Sequence, residues 1–176
     1  LNVTIPASFL STPHYYSVDV VNGSNVGSNS TDFFVIKAVD LSKNAVPAIC
    51  KDSGGNALDA QPSAVAIADQ LPGQGFAPIA VVTNSGCGSV SIINIDPTST
   101  GFGSLTGAKT IATGTNPQGV AVSPRFGLAV VSNNTDGTAS VLDLTTGTQK
   151  VPAVTVGAEP LGVAISEDTG DALIAN

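Results

Sequence analysis

The chain has 176 residues, of which 42% are hydrophobic and 11% charged, and its formal net charge is −7 with only six Lys and Arg. So few cations leave no source for the attraction to polyphosphate that drives nucleic-acid binding, and the same shortage disfavours adsorption to an anionic membrane surface. Nineteen Gly and eleven Pro, with abundant Ser, Thr and Asn, suit many short strands joined by tight turns rather than a helical bundle.

In chain order, Leu1 to Ile5 reads as the last strand of a preceding repeat. A degenerate first copy, residues 6–60, starts at Pro6: Pro6, Pro13 and Asn22 each lie 111 residues before Pro117, Pro124 and Asn133, although Ser8-Phe9-Leu10 stands where later copies have Gly-Val-Ala. Its later strands are predicted over Phe33–Leu41 and Val46–Ile49, after a long loop at 23–32. The second copy, 61–115, opens with Gln61-Pro-Ser-Ala-Val-Ala-Ile-Ala and continues through Ile79-Ala-Val-Val-Thr-Asn84, with an insert at 69–76 between them. Strands over Ser89–Asp96 and Lys109–Ala112 complete it.

The third copy, 116–158, is the clearest. Asn116-Pro-Gln-Gly-Val-Ala-Val-Ser precedes Leu128-Ala-Val-Val-Ser-Asn133, then Ala139–Leu144 and the short segment Val154–Val156. The fourth copy, 159–176, repeats its first half as Glu159-Pro-Leu-Gly-Val-Ala-Ile-Ser and Asp171-Ala-Leu-Ile-Ala-Asn176; Pro117 to Pro160 and Asn133 to Asn176 both span 43 residues without a gap. Four strands per 43 to 56 residues is the period of a β-propeller blade. The expected fold is therefore all-β, a propeller of four-stranded antiparallel blades with about three and a half blades present. First and second strands are apolar runs, as for strands buried on both faces, and fourth strands are more polar.

At these residues the chain resembles the YVTN-type β-propeller repeat family of surface-layer and other extracellular bacterial and archaeal proteins. The family pattern of Pro-x-Gly-Val-Ala, a strand ending Tyr-Val-Thr-Asn, then Ser-Val-Ile-Asp and Thr-Gly corresponds here to Pro117/Gly119/Val120/Ala121, Ala129–Asn133, Ser140–Asp143 and Thr146-Gly147, with Val81-Val-Thr-Asn84 the nearest literal match. The resemblance implies the blade fold and an extracellular setting, and it names no ligand, because the family hosts many roles. Three and a half blades fall short of the usual four to eight. The expectation is a piece of a longer propeller, or a ring completed by further blades or another chain.

By fold-level analogy, ligands meet a propeller where the loops before first strands and after second strands converge. Those loops carry Gln61, Ser63, Asn84, Asn116, Gln118, Asn134, Asp136 and Glu159, the candidate ligand-binding residues. The recurring Asn22, Asn84, Asn133 and Asn176 read more simply as turn caps, since Asn bonds local backbone and tolerates left-handed geometry. Asp40, Asp96 and Asp143 read the same way after third strands. Cys50 and Cys87 either form one disulfide or stand as two separate small residues.

No catalytic set can be assembled. His14 is the only histidine, no Gly-x-Ser-x-Gly elbow occurs, and Asn134 with Asp136 and Gly137 lacks the rest of an oxygen-rich cation loop. No metal or cofactor is expected. Asn2, Asn22, Asn29 and Asn133 begin N-x-S/T sequons. The functional expectation is a secreted, non-catalytic scaffold or binding module that presents loops to a protein or glycan, with no nucleic-acid partner and no membrane insertion. Two alternatives remain open: a lactonase-like or quinoprotein enzyme using Glu159, Arg125 or Asp136 together with residues outside this chain, and a structural surface-layer or filament subunit.

Overall fold

Backbone pairing follows the apolar segments. The computed structural model describes residues 15–18, 31–34, 50, 58–75, 77–96, 98–101 and 105–176. The predicted strands at 1–5 and 46–49, and the start of the copy at Pro6, lie outside them, as do His14 and Asp40.

The chain divides into two compact units, 1–40 and 41–176. In the first, β1 (Tyr15–Val18) and β2 (Thr31–Phe34) pair antiparallel, Tyr15 opposite Phe34 and Val18 opposite Thr31. The second holds three sheets. Sheet I is β3 (Pro62–Ala68), β4 (Ile79–Asn84), β5 (Ser89–Asn94) and β6 (Leu105–Ala112); sheet II is β7 (Pro117–Ser123), β8 (Leu128–Asn133), β9 (Thr138–Asp143) and β10 (Thr148–Thr155). Each is a four-stranded antiparallel meander with its strands in sequence order. Sheet III pairs β11 (Val163–Ile165) with β12 (Ala172–Ile174). The described residues are thus all-β apart from one turn of 3-10 helix at Ser85–Cys87, and none of their helices is long and apolar enough to cross a membrane.

The core forms where sheets I and II face each other. Val81, Val90, Ile92, Ala129, Val131 and Leu142 are buried in one cluster, against which Val120 and Val122 of β7 pack. The second strands of sheets I and II behave as expected, with every residue of β4 and all but the first of β8 buried. First strands are less uniformly buried: on β3 the alternate residues Val65 and Ile67 are 62% and 57% exposed.

Fourth strands are longer than their apolar content suggested. β10 starts at Thr148, ahead of Val154, and is exposed along its whole length. It is an edge strand held by pairing to β9, so it needs no apolar alternation of its own. Pro152 lies within the stretch where its register slips, between Val151 and Val154. Pro and bulges on an edge discourage pairing with another chain.

Candidate functional site

The loops that lead into first strands share an unusual backbone. Gln61, Asn116 and Glu159, each the residue before a proline, have φ of 46°, 55° and 50°. This left-handed conformation costs a non-glycine residue roughly 1–2 kcal/mol, so something must hold it. At two of the positions the holding contact is visible. The Gln61 carbonyl accepts from the Ser85 N–H at 3.1 Å and the Ser85 hydroxyl at 2.7 Å, and the Asn116 carbonyl accepts from the Asn134 N–H at 3.1 Å. The αL residue thus turns its carbonyl onto the loop that follows the second strand and ties the two loops together.

Around Asn116 this tie extends through side chains. Gln118 Nε2 donates to Asn116 Oδ1 at 2.6 Å, Asn116 Nδ2 to Asn134 Oδ1 at 3.3 Å, and Asn134 Nδ2 to the Pro160 carbonyl at 3.4 Å. The Asp136 carboxylate accepts from the Thr115 N–H at 2.6 Å. Beside this network lies an open cleft of about 530 Å³, lined by the turn 134–137, Thr155 and residues 157–159. Its volume lies in the range of small-ligand sites. The lining offers the Asn134 amide, the hydroxyls of Thr135 and Thr155 and the two carboxylates of Asp136 and Glu159, and contains no Lys, Arg or His. Such a surface can accept and donate hydrogen bonds to hydroxyl or amide groups and favours cationic over anionic ones.

Five sequence candidates, Asn116, Gln118, Asn134, Asp136 and Glu159, therefore gather at one place. The other three do not. Asn84 is corrected from a loop-face residue to a core residue: it is 1% exposed, and its Nδ2 donates to Ser89 Oγ at 3.1 Å and Ser91 Oγ at 2.9 Å. Ser63 uses its hydroxyl to bridge sheets, 2.8 Å from both Thr83 Oγ1 and the Pro117 carbonyl. Gln61 stands beside the turn at Ser85, which in sheet I takes the place of the cleft turn.

That turn is closed. Cys87 is disulfide-bonded to the buried Cys50, with Cα atoms 5.4 Å apart. Gly86 packs so tightly on the Asp59 carbonyl that a Cβ could not be accommodated. Segment and turn are locked together covalently here, whereas in sheet II the counterpart segment Gly114-Thr115 is held on the turn by hydrogen bonds to Asn133 and Asp136.

Asn133 repeats the Asn84 arrangement and completes it. Its Nδ2 donates to Thr138 Oγ1 and Ser140 Oγ, both at 3.0 Å, and its Oδ1 accepts from the Gly114 N–H at 3.0 Å. Being fully buried, it cannot serve as a glycosylation acceptor; the sequons at Asn2, Asn22 and Asn29 lie outside the described residues.

At the far ends of the third strands, Asp96 and Asp143 organise turns. Hydrogen bonds from the Thr146 N–H and the Lys150 ammonium hold the Asp143 carboxyl below its ordinary range, and the Thr98 hydroxyl and N–H do the same for Asp96. Arg125 also belongs to that end, so it is not a cleft residue. It lies in the turn between β7 and β8, where its Nη1 donates to the Glu167 carbonyl at 3.0 Å. Glu167, which sequence reasoning missed, accepts from the Ser123 hydroxyl at 3.0 Å and the Arg125 N–H at 3.3 Å, pinning sheet III to sheet II. The available signal was slight: Ser123 and Ser166 share one repeat position, and the acid follows the second. Among the described residues no three His, Cys, Asp or Glu side chains converge as a metal site would require.

No protein-family model matches the chain, and no curated protein matches it. Among solved structures it is similar to a Kuenenia stuttgartiensis hydrazine synthase, at 25% identity and a TM-score of 0.47 over 55% of this chain and 25% of that one. It is also similar to a functionally unknown protein from Desulfotomaculum acetoxidans DSM 771, at 14% identity and a TM-score of 0.55 over 90% of this chain and 48% of that one. The chain thus spans about a quarter and about half of the length of these two proteins. At 14% identity the second likeness speaks to the fold alone.

Proposed function

We propose that the chain is a β-propeller segment of an extracellular binding module, and that it holds a protein or glycan partner in the cleft between the turn 134–137 and residues 157–159. The sequential four-stranded meanders, stacked face to face with a 43-residue repeat, support the propeller reading. The Cys50–Cys87 disulfide favours an oxidising compartment. The observation that carries the binding role is the cleft that Asn134, Asp136 and Glu159 line together, braced through Asn134 by Asn116 and Gln118, with the backbones of Asn116 and Glu159 in a costly conformation.

The chemistry suits hydroxyl-bearing ligands. The test is an NMR titration of the isotopically labelled chain with a panel of neutral oligosaccharides and short basic peptides. Expected are saturable shifts at 116–118, 134–137 and 157–159, abolished in an Asp136→Ala/Glu159→Ala variant whose melting temperature stays within a few degrees of the parent. Shifts centred on the Asp143–Lys150 turn, or none with any probe, would remove the assignment.

A further inference from the structure

The two cysteines of the bridge are held unequally, and the difference bears on how their bond reacts. Cys50 is 1% exposed, whereas Cys87 stands half-buried in the β4–β5 turn between Gly86 and Gly88, which carry no side chain to shield its sulfur. Cys87 Sγ also receives a hydrogen bond. It lies 3.3 Å from Ser89 Oγ, and a disulfide sulfur has no proton, so the hydroxyl is the donor. Asn84 Nδ2 donates to the same hydroxyl oxygen at 3.1 Å, which occupies a lone pair of Ser89 and leaves its proton for the sulfur. A buried amide and a hydroxyl thus run in one direction toward Cys87.

The next copy shows what this position holds elsewhere. Counted from the buried Asn of each copy, Cys87 corresponds to Asp136 and Ser89 to Thr138. In sheet II the position carries a carboxylate that accepts the Thr115 N–H at 2.6 Å, so an anion is accommodated there. Thiolate is the form of cysteine that exchanges, and a donor on Cys87 Sγ favours that form once the bond to Cys50 is broken. The turn does not hang on the disulfide alone. The Ser85 N–H donates to the Gln61 carbonyl at 3.1 Å, the Gly86 N–H to the Ala60 carbonyl at 3.0 Å and the Leu58 N–H to the Cys50 carbonyl at 2.8 Å. These bonds tie both cysteines to the segment 58–61 after cleavage, so re-closure is an intramolecular step.

We infer that the pair is a thiol–disulfide exchange site for a small thiol of the glutathione class, in which Cys87 carries the mixed disulfide and Cys50 is the resolving thiol. The external thiolate attacks Cys87 Sγ, the more accessible sulfur. A bond forms between that thiol and Cys87, the Cys87–Cys50 bond breaks, and the electron pair leaves on Cys50 Sγ, which takes a proton from water. In the reverse step the Cys50 thiolate attacks Cys87 and expels the small thiol, so one mixed disulfide serves both directions. A second external thiolate that attacks the small-molecule sulfur releases Cys87 as a thiolate, which the Ser89 hydroxyl stabilises; two external thiols are then oxidised to one disulfide as the protein bond is reduced. The site is separate from the cleft, and neither reading rests on the other.

Incubating the whole oxidised chain with reduced glutathione, quenching with acid, alkylating free thiols and mapping the peptides by mass tests this. Glutathione is expected on Cys87 in at least about tenfold excess over Cys50, with the alkyl label on Cys50. Removing free glutathione before the quench, with no oxidant added, restores the bridge as Cys50 expels the bound thiol. The part of Ser89 is read in a Cys50→Ser chain loaded with glutathione on Cys87. Ser89→Ala is expected to slow release of that glutathione by fresh thiol about tenfold, and Ser89→Thr, the residue type sheet II has there, to restore it. A hydroxyl that only held the fold would give the opposite sign, because a loosened turn exchanges faster. Circular dichroism checks that each variant is folded, with Cys50→Ala replacing Cys50→Ser where it is not. Glutathione found on Cys50, a bridge that exchanges only when urea has unfolded the chain, or a Ser89→Ala variant that releases glutathione as fast as its parent would each overturn the inference. None of these outcomes touches the cleft titration, and failure of that titration leaves the exchange site standing.

Discussion

Asn84 and Asn133 hold the same place in their sheets, yet their side chains are not equally satisfied. Both donate to two hydroxyls, but Asn133 Oδ1 also accepts the Gly114 N–H, whereas Asn84 Oδ1 is buried without a partner. An unmet buried acceptor carries a penalty of about 1–3 kcal/mol, comparable to the gain from the bonds the same side chain makes. Asn133→Ala is therefore expected to lower stability by about 2–4 kcal/mol, and Asn84→Ala by at least about 1 kcal/mol less. Urea unfolding of the two variants checks this; equal losses would mean that Asn84 Oδ1 finds a donor in solution. The sequence marked both residues as turn caps, and they do close strands. It did not show that their amides reach hydroxyls five and seven residues onward rather than local backbone, although Ser or Thr recurs at those spacings in both copies.

Among elements, the second strands were the most legible, because burial on both faces demands an unbroken apolar run and β4 and β8 have one. Fourth strands were the least legible. The edge strand β10 is wholly exposed, so its first residues, Thr148, Gln149 and Lys150, answer to pairing with β9 rather than to a core. The element that most depends on a covalent tie is the β4–β5 turn. Its disulfide joins residues 37 apart, and closing a loop of that length restricts the unfolded chain by about 4 kcal/mol at most. A Cys50→Ser/Cys87→Ser variant is expected to lose about 2–4 kcal/mol, measured as a lowered denaturation midpoint that reductant no longer shifts. A midpoint equal to the parent's would show that the unfolded chain gains little freedom from the cut.

For the whole molecule, composition and the 43-residue repeat made the all-β antiparallel architecture readable before any coordinate. The cleft was readable only in part. Asn134, Asp136 and Glu159 could be placed on converging loops by counting, but whether a turn stands open or closed depends on what packs beneath it. Gly86 lies backbone to backbone on Asp59, whereas the sheet II turn holds its counterpart Gly114-Thr115 through the side chains of Asn133 and Asp136 and opens its cleft toward 157–159, a difference between neighbouring copies that no shared pattern encodes. The same covalent tie has a further consequence for the chain as a single thread. Pro72 to Gly75, in the insert between β3 and β4, are exposed, and exposed loop tips are where proteases cut first. Both cysteines flank that loop, one on each side. Brief digestion with a protease of broad specificity should therefore leave a nicked protein that migrates as one band without reductant and separates into two pieces once dithiothreitol is added; two bands under both conditions would show that the bridge is not formed in the protein as it is made.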